Sequence, residues 1–201
     1  MDAKRDTLQF RIALVGIEPE IWRRIEVPAS YSFWDLHVAI QDAMGWLDYH
    51  LHAFSLPNLE TGRVDHIGIP DEDAFEGDIV FLPGWEIPVR RHFGHPGDRG
   101  DYEYDFGDDW RHEIVLETVG RREAGTRYPR CLGGARACPP EDCGGIHGYA
   151  EVLATIADPH HEEYASTMKW LGRRYDPEAF DPARVRFDDP TKRWRTAFGG
   201  Q

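Results

Sequence analysis

The sequence is short of three things, and each shortage closes off a class of protein. No stretch approaches the roughly 20 apolar residues that span a bilayer. The opening MDAKRDTLQF also lacks the apolar run of a secretory signal. The expectation is a cytoplasmic protein without membrane contact. Basic residues are outnumbered: 23 Lys and Arg face 36 Asp and Glu, a formal charge of -13. Such a surface repels a phosphate backbone, so nucleic acid is a disfavoured partner. The compact basic stretches ahead of the C-terminus are Trp22-Arg23-Arg24 and Arg90-Arg91-His92. Cysteine is scarce and odd in number, three in the chain, with no Cys-x-x-Cys pair. A reducing compartment keeps such residues as thiols or metal ligands rather than disulfides. Internal repeats and low-complexity segments are absent as well.

What is present suffices for a folded core: 201 residues, 41% of them hydrophobic. We read residues 1–201 as a single α+β domain. LQFRIALV (8–15) alternates, with Leu8, Phe10, Ile12 and Leu14 on one face. After a Gly/Pro turn, IWRRIEV (21–27) alternates again and sets Ile21, Ile25 and Val27 against Trp22, Arg24 and Glu26. The two runs predict an antiparallel hairpin. In YSFWDLHVAIQDAMGW, Ser32 and Asp35 have the spacing of a capping box, and Phe33, Leu36, Ile40, Ala43 and Met44 follow helical spacing to Gly45. HLHAFSL (50–56) predicts a third strand. Residues 57–100 form a polar excursion rich in Gly, Pro and acids, with short strands at 79–82 and 86–93. DYEYDF (101–106) and WRHEIVLE (110–117) predict a second hairpin. Tyr102, Tyr104 and Phe106 share one face of it, Trp110, His112, Ile114 and Leu116 share the inward face of the return, and Gly107 supplies the turn dihedrals. A helical C-terminal part spans 145–201. One helix covers 147–157, a second is started by Asp158-Pro159 and ended by Gly172, and a tail of short turns follows. The order implies an antiparallel sheet with a packed helix, a β-grasp-like core, plus C-terminal helices.

Four blocks occur in one order: IEPEIWRRIEVP (17–28), FWDLHVAIQDAMGWLDYHLHAF (33–54), YEYDFGDDWRHEIVLE (102–117) and CPPEDCGGIHGY (138–149). Together they resemble the plasmid pRiA4b ORF-3-like family, and the likeness continues through WLG and DPEAFDP. The resemblance implies a bacterial or archaeal protein linked to plasmids or transposons. It carries no catalytic residues over to this chain. A resolvase would need a nucleophilic Ser backed by several Arg around the scissile phosphate; these blocks are acidic and aromatic.

Three groups of residues could carry function. RCLGGARACPPEDCGGIHGY (130–149) holds Cys131, Cys138, Cys143 and His147, donors suited to a structural zinc. The plainer reading is a Gly/Pro loop packed on the core, with Glu141 and Asp142 in local turn bonds. His50 and His52, two apart, share a face if they lie on a strand. With Asp105, Asp108 and His112 they could form a polar or metal-holding cluster. His37, on the helix beside its apolar stripe, reads as a satisfied core histidine. Trp22, Arg24 and Trp46 are the candidates for an interaction surface. These groups give a ranking of functions. First stands a non-enzymatic binding or accessory protein taking a protein or small ligand. A metal-dependent hydrolase using the His/Asp cluster follows, and then a DNA recombination accessory.

Overall fold

The computed structural model describes residues 4–58, 60–71, 79–172 and 175–199. The acidic stretch 72–78 lies outside the described residues. One eight-stranded sheet organises the chain. Its strands are β1 (Asp6–Leu14), β2 (Trp22–Pro28), β3 (His52–Asn58), β4 (Arg63–Gly68), β5 (Phe81–Pro83), β6 (Arg99–Tyr104), β7 (Trp110–Arg121) and β8 (Arg130–Ala135). They lie in the order β5-β4-β3-β6-β7-β1-β2-β8. Every pairing is antiparallel except β4 with β5. The described residues of 57–100 therefore include two whole strands of the sheet, β4 and β5.

The helices are α1 (Phe33–Met44), α2 (Gly145–Ala157), α3 (Tyr164–Leu171) and α4 (Pro190–Phe198). The fold is α+β. Alternation explains the sheet's inner face: Leu8, Phe10, Ile12, Ile25, Val27, Ile114 and Leu116 are all fully buried. They form one apolar cluster with Phe33, Leu36, Ile40 and Met44 of α1. Helix α1 starts with the expected capping box: the Asp35 amide donates to Ser32 Oγ, and the Ser32 amide donates to Asp35 Oδ2. It ends at Gly45 in a left-handed conformation, φ 99°. Nearly all of α1 is buried, because α4 packs on its outer side. There Trp34 Nε1 donates to Pro190 O at 3.0 Å, and Trp34 and Trp85 meet Phe198.

Five local expectations are corrected. Residues 86–93 form no strand; a 3₁₀ turn (Val89–Arg91) sits there, after Pro88. β3 begins at His52, not at residue 50. Phe106 points outward while Tyr102 and Tyr104 are fully buried. Asp105 and Asp109, at φ 57° and 55°, supply the turn dihedrals instead of Gly107. Asp158 ends α2 and closes a turn by accepting from the His160 amide, so α3 starts only at Tyr164. α4 adds a helix to the tail; Asp189 caps it and Pro190 opens it.

Arg23 is the residue whose charge misleads although its place in the alternation is inward. It shares the inward face of β2 and is 1% exposed. Its guanidinium donates to the carbonyls of Ala43, Trp22 and Ala135 and stacks on Phe180 at 3.8 Å. Burial lowers its pKa. Arg23 thus ties the end of α1 to edge strand β8, instead of contributing to a basic patch.

Candidate functional site

Three connections converge at one end of the sheet: residues 45–51 between α1 and β3, the β6–β7 turn at 105–109, and residues 136–144 between β8 and α2. All five described non-glycine residues with positive φ lie in them: Asp48, Asp105, Asp109, Arg136 and Asp142. Asp tolerates this conformation because its short carboxylate can bond locally. Asp105 Oδ1 does so, accepting from the amides of Gly107 and Asp108.

Hydrogen bonds fasten the three segments together. The Leu47 amide donates to Glu141 Oε1 at 2.7 Å, and Trp46 Nε1 donates to Pro139 O at 3.0 Å. The Tyr49 amide donates to the Tyr104 hydroxyl oxygen, and that hydroxyl donates to Glu141. The Asp105 amide donates to Leu51 O at 2.9 Å. The Gly144 amide donates to Asp108 Oδ2 at 3.1 Å. Next to it, Gly145 has φ +66°, and a Cβ there would lie 2.4 Å from Asp108 O. Only glycine permits this approach of the cysteine loop to the hairpin turn.

At the junction His50 Nε2 faces three carboxylates: Asp142 Oδ1 at 3.0 Å, Asp105 Oδ2 at 3.5 Å and Glu141 Oε2 at 4.0 Å. His50, Asp105 and Asp142 bring their ligand atoms within 4.8 Å of one another. Burial raises the pKa of Glu141, and burial with Glu141 beside it raises that of Tyr104. On these loops the side chains of Leu47, Tyr49, Leu51 and Phe106 are exposed, Tyr49 to 71%, as are Ile146 on α2 and Trp170 on α3. Two clefts flank the 45–51 loop. One, of about 870 Å³, runs between Leu47, Tyr49 and α4 and is lined by Phe187 and Arg193. The other, of about 460 Å³, is lined by Leu47, Pro139, Glu141, Trp170 and Tyr175.

The expected cluster is thus half assembled. His50 and Asp105 meet, and Asp108 sits beside them holding Gly144. His52 turns into the core, stacked on His37 with ring centroids 3.5 Å apart. Burial, with His37 alongside, drops its pKa well below the ordinary value. His112 is also fully buried, near Tyr102 O and edge-on to Trp46, and burial lowers its pKa to about 4. His37 is the satisfied core histidine expected, bonded to the Tyr102 hydroxyl and Asp48 Oδ1.

In the cysteine loop, Cys131, Cys138, Cys143 and His147 belong to no group of converging donors among the described residues. Cys131 donates to Gly133 O and Cys143 to Gly145 O, and all three cysteines are free thiols. Burial raises the pKa of each, that of Cys143 to about 12, the reverse of what a nucleophilic thiolate needs. Trp46, at 4% exposed, is core and presents no surface. Trp22 lies on the sheet's outer face between the guanidinium groups of Arg11 and Arg24. Arg24 is itself held by both Glu117 oxygens. Glu141 and Asp142 are the members that sequence spacing assigned to turn bonds; a Glu-Asp pair stiffened by Pro139-Pro140 was the available signal.

The model of the plasmid pRiA4b ORF-3-like protein family matches residues 6–184. The chain belongs to that family. The uncharacterized protein y4hQ of Sinorhizobium fredii (strain NBRC 101917 / NGR234) is 34% identical over 190 residues, 93% of each chain. The crystal structure of MM3350, a protein of unknown function from Methanosarcina mazei Go1, superposes with a TM-score of 0.81 at 43% identity. It covers 91% of this chain and 99% of its own. Among the described residues no helix is long and apolar enough to cross a membrane.

Proposed function

We propose that this pRiA4b ORF-3-like chain is a binding or accessory protein, linked to plasmids or transposons, that engages a protein or small ligand at the end where the three loops meet. The observation that carries the reading is the exposure of apolar side chains, Leu47, Tyr49, Leu51 and Phe106, on the loops that bring His50 to its carboxylates, with Ile146 and Trp170 exposed on the helices that follow. Exposed apolar groups on the loops of a polar centre suit recognition: the former supply area, the latter orientation. The thiols are half-buried and burial raises their pKa values, so they are poor candidates for a nucleophile in covalent chemistry.

A photocrosslinking amino acid at position 49 tests this in cells that carry the gene. A discrete adduct is expected from position 49 and none from Val64, which is exposed on β4. Adducts equal at both positions, or absent from both, would refute it. A metal-dependent hydrolase at the same cluster is the second reading, favoured by the openness of Asp142, at 68% side-chain exposure. Turnover of model esters or phosphodiesters, lost in His50→Ala, would move the assignment to it.

A further inference from the structure

We propose that His50, Asp105 and Asp142 form a binding site for a first-row divalent cation, with Glu141 in reach as a fourth ligand. The inference stands on the geometry of these four side chains and does not depend on the partner proposed above.

Spacing is the first support. Bonds of about 2.0–2.2 Å at tetrahedral or octahedral angles set neighbouring ligand atoms about 2.9–3.6 Å apart. His50 Nε2 lies 3.0 Å from Asp142 Oδ1 and 3.5 Å from Asp105 Oδ2, inside that interval. Glu141 Oε2, at 4.0 Å, needs only a small adjustment.

Unpaired atoms are the second support. His50 Nε2 is shielded from solvent and makes no hydrogen bond, although three carboxylates surround it. The nitrogen and the oxygens are close but not aligned as donor and acceptor. Asp105, with a side chain only 10% exposed, spends Oδ1 on two turn amides and leaves Oδ2 facing His50 without a hydrogen bond. Buried polar atoms are normally satisfied, so an orphaned nitrogen facing carboxylate oxygens indicates a group that belongs between them.

Charge is the third. Among the described residues no Lys or Arg pairs with Asp105, Glu141 or Asp142; His50 is the partner of all three. Gathering three carboxylates without a cation is unfavourable, and a divalent ion offsets it. One imidazole with carboxylates suits zinc or manganese better than calcium or magnesium, which prefer oxygen alone.

The test uses the full chain, freed of metal by a chelator and titrated calorimetrically with Zn²⁺ and Mn²⁺. One saturable site per chain is expected for at least one ion. His50→Ala and Asp142→Asn should each weaken it by about tenfold or more, while Cys138→Ser/Cys143→Ser leaves it unchanged. Asn accepts the left-handed backbone of the exposed Asp142, so that variant serves even if His50→Ala fails to fold. Bound Co²⁺ should show no sulfur charge-transfer band. Absence of saturable binding, binding untouched by both cluster variants, or binding lost only with the cysteines would each overturn the proposal.

Discussion

At the scale of single residues, burial decides which polar groups act and which only pack. His112 carries a folded pKa near 4 against an ordinary 6.5, because burial disfavours its cation. Between those values the unfolded chain binds a proton that the folded chain refuses. The stabilisation from a neutral His112 is therefore complete above about pH 6.5 and is lost as pH falls toward 4. A shift of this size corresponds to about 3 kcal/mol. Urea unfolding at pH 7, 5.5 and 4.5 should show the wild type losing stability more steeply than His112→Gln; parallel pH profiles would remove His112 as the cause. That His112 faces inward was legible from the alternation of Trp110, His112, Ile114 and Leu116. The burial of Arg23 was not. A charged residue at an inward position reads as surface until the carbonyls that receive it, of its neighbour Trp22 and of the distant Ala43 and Ala135, are known.

At the scale of elements, legibility followed periodicity. Helix α1, its capping box and the strand pairs β1–β2 and β6–β7 were all carried by local pattern. Connections were harder, because their shape comes from tertiary bonds. His50 and His52 share no strand face: the 45–51 loop is pinned by Pro139, Glu141 and Tyr104, and only His52 enters the ladder. Asp189-Pro190 carries the Asp-Pro signature of a helix start, yet α4 is short and has no fully buried residue, so its own pattern is weak. What holds it is tertiary. Arg193 pairs with Asp42 at 2.7 Å and reaches Asp48 at 3.6 Å, and the Asp188 amide donates to Asp42. Arg193→Ala leaves the carboxylate of Asp42 without its cation, at a cost of about 1–2 kcal/mol. Amide exchange across 190–198 should speed up while the sheet amides keep their protection. Unchanged exchange in α4 would mean that the Trp34, Trp85 and Phe198 contacts suffice alone.

At the scale of the molecule, the sheet brings together what the sequence keeps apart. His50, Asp105 and Asp142 are separated by more than thirty residues at each step. They meet because β3 pairs with β6 and because Gly145 lets the cysteine loop close on the β6–β7 turn. Sequence spacing could name His50 and Asp105; it could not exclude His52 and His112, nor include Asp142. We propose that the charges of this cluster serve recognition, while the hydrogen bonds that Glu141 accepts fasten the loops. In metal-free buffer near neutral pH, the raised pKa of Glu141 means that its charge works against the folded state. Gln and Asn preserve shape while removing charge. The most direct measurement is therefore the thermal unfolding of Glu141→Gln/Asp142→Asn against the wild type, with chelator present. The expected midpoint equals or exceeds that of the wild type. A midpoint several degrees lower would show that these charges hold the fold together, and would contradict the proposal.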